Sequence, residues 1–97
     1  MTIEKTVKDA EACLALTGWL DTQSAPELEE ALKALPPEAK SLVLDLAGVE
    51  YVSSAGLRQI VAAYKLMNGA LTLRHVSDEI CNVIRMTGLE KRLTIEP

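Results

Sequence analysis

Ser41-Leu42-Val43-Leu44-Asp45-Leu46-Ala47-Gly48-Val49-Glu50-Tyr51-Val52-Ser53-Ser54-Ala55-Gly56-Leu57-Arg58 is the stretch that decides the fold. Its first part, Leu42 to Leu46, is apolar on both faces until Asp45, which is the pattern of a central strand covered on at least one side. Ala47-Gly48-Val49-Glu50 reads as a turn. From Ser53-Ser54 onward, Leu57, Ile60, Val61, Tyr64 and Met67 recur at helical spacing, and Asn68-Gly69 supplies a left-handed stop. The strand should lie mid-sheet, and the helix is the clearest in the chain.

The flanking sequence extends this pattern in both directions. Upstream, Thr2 to Val7 and Ala12 to Leu16 read as two strands joined by the polar turn Lys8-Asp9-Ala10-Glu11, with Thr17-Gly18 ending the second. Ser24-Ala25-Pro26-Glu27 matches a capping box, with Ser24 accepting from the Glu27 N–H and Glu27 reaching back. The helix it opens has a stripe of Leu28, Ala31, Leu32 and Leu35 and stops at Pro36-Pro37. Downstream, Leu71 to Arg74 alternates as a strand. Ser77 caps a third helix with Asp78 and Glu79 in its first turn and a stripe of Ile80, Val83, Ile84 and Thr87, ended by Gly88. Leu93-Thr94-Ile95 is a short last strand. The order ββαβαβαβ predicts an α/β domain, a mixed sheet with helices packed mainly on one face.

Composition excludes several classes. At 97 residues the chain has room for one core, so a single domain over residues 1–97 is expected. Apolar residues make up 48% and charged residues 25%, a globular balance with no low-complexity run. No apolar stretch approaches a membrane span and no export signal opens the chain, so the expected location is the cytoplasm. A net charge of −4, scattered basic residues and the absence of Phe argue against a nucleic-acid footprint.

Catalytic and metal chemistries find little support. Cys13 and Cys81 lack metal-ligand spacing and read as reduced, buried thiols. His75 is the one histidine, and a Ser-His-Asp relay through it would lack the Gly-x-Ser-x-Gly elbow. Asp21 and Asp45 have no His/Cys cluster or phosphate loop beside them and read as loop caps. No cofactor, metal or catalytic residue is expected, and the chain is expected not to be an enzyme.

Leu44 to Arg58 resembles the signature of the STAS family of the bacterial anti-sigma factor antagonist type: a buried strand ending in Asp-Leu, a short loop, then Asp-Ser-Ser/Thr-Gly-Leu at a helix start. Leu16-Thr17-Gly18-Trp19-Leu20-Asp21 is similar to the family's Thr-Gly-Glu-Leu-Asp, and Arg85-Met86-Thr87-Gly88-Leu89 matches near the end. The resemblance implies a protein that works by binding an anti-sigma factor that is also a serine kinase. Phosphorylation would switch it off, and a serine phosphatase would restore it. Ser54 matches the phosphorylated serine, and Trp19, Asp21, Ser53, Ser54, Ala55, Gly56 and Arg58 match the partner-binding surface. The chain departs from the family pattern in three places. Ser53 stands in place of the Asp before the modified serine, Trp19 in place of Glu, and Ala55 in place of the following Ser or Thr.

Ser53 and Ser54 also fit a purely structural reading as helix N-caps, and Gly56 would leave the first turn bare for another backbone to approach. The Ser53 substitution leaves an alternative open: a phosphorylation-independent subunit of a larger assembly, such as a lipid-transport ATPase complex or a stress-sensing scaffold. A nucleotide-binding regulator or weak hydrolase is a more distant reading, and a weak homodimer is also open.

Overall fold

The computed structural model describes residues 1–96; Pro97, the last residue of the expected domain, lies outside them. Strands β1 (Thr2–Lys8) and β2 (Glu11–Leu20) form an antiparallel hairpin whose register runs from Thr2 opposite Thr17 to Lys8 opposite Glu11. Asp9 turns it at φ +56°, a left-handed conformation that a short polar side chain tolerates. Strands β3 (Ser41–Val52), β4 (Leu71–Arg74) and β5 (Thr94–Ile95) then add in parallel, so the sheet order is β1-β2-β3-β4-β5.

Helices α1 (Ala25–Lys33), α2 (Ser54–Leu66) and α3 (Asp78–Thr87) connect successive parallel strands, and a 3₁₀ turn (Leu89–Lys91) follows α3. Each crossover steps one strand in the same direction. Right-handed crossovers of that kind place all the helices on one face, which is the single α/β domain with order ββαβαβαβ that the sequence predicts. Burial follows the pleat: Ala12, Leu14, Leu16, Leu42, Leu44, Leu46, Leu71 and Leu73 are buried beneath the helices, while Cys13, Ala15, Asp45, Thr72 and Arg74 alternate onto the open face and are only partly covered.

Several expectations need correction. Ala47 to Glu50 is not a turn but the continuation of β3. The ladder passes from Ala15 opposite Asp45 to Thr17 opposite Gly48, and from Gly18 opposite Val49 to Trp19 opposite Tyr51, so β3 gains one residue at each shift. Gly48 is required there, because a Cβ would stand 2.9 Å from Thr17 Oγ1 and 3.1 Å from the Leu16 carbonyl. Likewise Thr17-Gly18 does not end β2, which runs on to Leu20.

The inward stripe of α2 is Gly56, Ile60 and Ala63, continued by Met67 at its C-cap, with Leu57, Val61 and Tyr64 only partly buried at its flank. The helix is rotated because its small residues allow the closest approach to the sheet: a Cβ on Gly56 would meet the Leu20 carbonyl at 2.6 Å and Leu20 Cγ at 2.8 Å. Gly56 therefore faces its own fold, and its bareness serves internal packing. In α3, Ile80 and Ile84 are buried but Thr87 is exposed, its hydroxyl donating to the Ile84 carbonyl at 2.6 Å. Cys13 and Cys81 are free thiols and half-buried, less enclosed than expected.

Candidate functional site

The site is built where β2 and β3 deliver their last residues to α1 and α2. At the end of β2 the Ser24-Glu27 capping box does not form: Ser24 is in helical conformation and makes no side-chain cap on α1. Asp21 takes over. Its Oδ1 accepts from the N–H groups of Gln23 (3.0 Å) and Ser24 (3.1 Å), an Asx-type turn that opens the helix. Ser24 is buried and its hydroxyl closes the corner, accepting from the Asp21 N–H at 2.9 Å and donating to the Trp19 carbonyl at 2.6 Å. Glu27 reaches outward, with its carboxylate 3.7 Å from the Met1 amino group.

At the end of β3, the Ser53 N–H donates to the Leu20 carbonyl at 2.9 Å, which fastens the two strand-to-helix corners together. Ser53 is the N-cap of α2, extended in backbone, with Oγ accepting from the Gly56 N–H at 3.3 Å. Ser54 is thereby released from capping. It is the first residue of α2, exposed, and its hydroxyl has no hydrogen-bond partner among the described residues. Arg58 lies four residues on, hence on the same side of the helix, exposed and without an ion pair among the described residues. Ala55 is partly buried between them.

Trp19 is 57% exposed and stands opposite Tyr51, itself 49% exposed, with ring centroids 5.5 Å apart and planes at 55°. The indole N–H donates to Glu50 Oε2 at 3.2 Å. Thus Trp19, Asp21, Ser53, Ser54 and Arg58 gather at one rim of the sheet, with Gly56 beneath it. Tyr51 and Glu50 join them unannounced, since the sequence reading placed Glu50 in a turn. No sequence pattern marks them, because their meeting with Trp19 depends on the two register shifts between β2 and β3.

Lower on the open face, His75 at φ +57° brings its Nδ1 to 2.9 Å from Asp45 Oδ1, which also accepts from the Ala47 N–H at 3.0 Å. The His75 hydrogen bond is the main reason that the Asp45 carboxyl is held below its ordinary 3.8, burial opposing it and the Ala47 bond adding to it. A depressed carboxylate contributes stability that is full above its unfolded value and is lost as pH falls through the lower folded value. Asp45→Asn is therefore expected to flatten the acid side of the stability profile below about pH 4, measured by urea denaturation at a series of pH values. An unchanged acid limb would show that the pair contributes nothing to folding. Burial, followed by the Asp45 charge, raises the Cys13 thiol above its ordinary value, which keeps it protonated and a poor nucleophile at neutral pH.

Among the described residues no cluster of His, Cys, Asp and Glu could hold a metal ion, and no helix is long and apolar enough to cross a membrane. What the rim offers is a surface: an exposed hydroxyl at a helix start, a cation on the same side of the helix, and an exposed aromatic pair around the corner. These features sit at the rim of an α/β domain with a mixed five-stranded sheet.

Comparison with known proteins places it more closely. Residues 3–96 match the family model described as "Mlab, STAS domain", and the chain belongs to the STAS domain family. It is 31% identical to the anti-sigma-B factor antagonist of Bacillus subtilis over 83 residues, covering 82% of this chain and 76% of that protein. It is 32% identical to the anti-sigma-B factor antagonist of Staphylococcus aureus over 94 residues, covering 93% and 87%. Among solved structures, an anti-sigma factor antagonist from Mycobacterium paratuberculosis superimposes with a TM-score of 0.88 at 27% identity, covering 99% of this chain and 85% of that one.

Proposed function

We propose that this chain is a regulatory binding protein of the anti-sigma factor antagonist type, acting in the cytoplasm. In the unmodified state its rim binds an anti-sigma factor that is also a serine kinase, which frees the sigma factor. Transfer of the ATP γ-phosphoryl group to Ser54 Oγ, with loss of the hydroxyl proton to a base on the kinase, breaks that complex. A metal-dependent serine phosphatase hydrolyses the phosphoester and restores binding. The chain itself is the substrate and the switch, and the catalysis belongs to its partners.

The observation that carries this reading is the division of labour between the two serines. Ser53 caps α2 with its own hydroxyl, a task that an Asp at the same position would perform with its carboxylate. The departure from the family's pattern therefore keeps the helix start intact and leaves Ser54 exposed and unengaged, as a kinase substrate must be. A phosphate on Ser54 would meet the free N–H groups of the first turn and Arg58 on the same side of the helix.

The test is a titration against the cognate kinase, identified by pull-down from native lysate with mass spectrometry. Arg58→Glu should weaken the complex about tenfold or more while the melting temperature stays put, because reversing an exposed interfacial charge alters association and not folding. Unchanged affinity, together with loss of binding on substitution of exposed α3 residues, would place the interface elsewhere.

A further inference from the structure

The Ser54 switch leaves the exposed aromatic pair unused. Leu20 and Val52 point under α2, so strand alternation aims Trp19 and Tyr51 to the opposite, helix-free side of the rim. Two large aromatic side chains half in water are apolar area that folding would ordinarily cover. Their arrangement is specific. The Trp19 N–H, on the positive edge of the indole, is already spent on Glu50 at 3.2 Å, and the residue keeps more than half of its surface exposed beside the tilted Tyr51 ring. Glu50 is held in place by that bond and has no ion pair among the described residues.

The neighbouring charges single out Glu50. The concavity of about 300 Å³ that Asp21 and Glu27 line against Trp19 also holds Met1, whose amino group is already 3.7 Å from Glu27. Among the described residues, the carboxylate left without a cation beside the ring is therefore Glu50, on a chain of net charge −4. An anionic group here would be repelled, and an apolar one would strip water from Glu50 without compensation. A cation is attracted by both the ring face and the carboxylate. We propose that Trp19, Tyr51 and Glu50 form a receptor for an arginine side chain of the protein partner. A planar guanidinium can stack on the indole while its N–H fork meets the carboxylate, which a lysine ammonium cannot do in the same pose. This proposal rests on the chain being a partner-binding module, and it names the partner's chemistry on the side of the rim away from Ser54.

Trp19 is the only tryptophan, so its emission and its indole N–H resonance report on the receptor without labelling. The whole chain is titrated with N-acetyl-arginine methylamide, and with N-acetyl-norleucine methylamide at equal ionic strength as the uncharged control. The arginine probe should shift the indole resonance saturably and the control should not. Glu50→Gln and Tyr51→Leu should each weaken the arginine response about two- to fivefold, the range of an exposed cation–π contact, with melting curves confirming that both variants are folded. No saturable response to arginine, an equal response to norleucine, or a folded Glu50→Gln chain that binds arginine like the parent would each overturn the receptor. No kinase takes part, so failure here leaves the phosphorylation of Ser54 standing, and a chain that is never phosphorylated leaves the receptor standing.

Discussion

Ser54→Asp is expected to melt like the parent chain and to bind the cognate kinase about a hundredfold more weakly or worse. Within the free protein the added carboxylate stands in solvent at the start of α2, beside N–H groups that the helix leaves unpaired, where a negative charge is worth about 0.3–1 kcal/mol in favour of folding. In the complex the same group must lose its water in space that a hydroxyl had filled, a penalty of about 3 kcal/mol or more where no cation faces it. That difference sets the size of the effect. Calorimetric titration of the kinase alongside thermal melts of both chains measures the two halves separately. A destabilised Ser54→Asp chain would mean that the switch acts on the fold, and undiminished affinity would mean that Ser54 lies outside the interface.

Ile60→Ala should cost about 2–5 kcal/mol of folding stability, as core truncations of this size do. Ile60 is fully buried at the middle of the α2 stripe, between Gly56 and Ala63, where the helix lies closest to the sheet. Small neighbours cannot rearrange to fill the space left behind, so the cavity term should persist. Chemical denaturation gives the value. A cost within error of zero would show that a different face of α2 is turned inward.

The sequence was most readable where local pattern and tertiary environment agree. The strand over Ala12 to Leu16, the apolar run Leu42 to Leu46 and the cap at Ser77 each appear as expected, with the Ser77 hydroxyl accepting from the Ile80 N–H at 3.3 Å. Gly88 ends α3 at φ +79°. Reading failed where a longer-range contact outbid the local signal. Ala47-Gly48-Val49-Glu50 has the residues of a turn, yet Gly48 is there because β2 crowds it at the β3 bulge. Ser24 and Glu27 have capping-box spacing, but Asp21 supplies the turn, and the Ser24 hydroxyl is drawn to the Trp19 carbonyl.

The candidate site divides along the same line. Ser53 and Ser54 were both readable as helix-start residues; the family pattern singled out Ser54, and the geometry adds that Ser53 is the one that caps α2. The family pattern drew attention to Trp19, but its partners Tyr51 and Glu50 depend on a cross-strand register with two bulges, which no periodicity in the sequence reveals. Ala63 went unnoticed as a core residue for a related reason: a small side chain contributes little to an apolar stripe, yet it marks where helix and sheet come closest.

The most direct measurement of the central claim is phosphosite mapping after the purified chain is incubated with its kinase and ATP, using the parent, Ser53→Ala and Ser54→Ala forms. Modification is expected at Ser54 in the parent and in Ser53→Ala, and none in Ser54→Ala, which should still bind. Modification confined to Ser53, or none at all with a kinase that demonstrably binds, would contradict the claim, and the second outcome would make the chain a phosphorylation-independent STAS subunit.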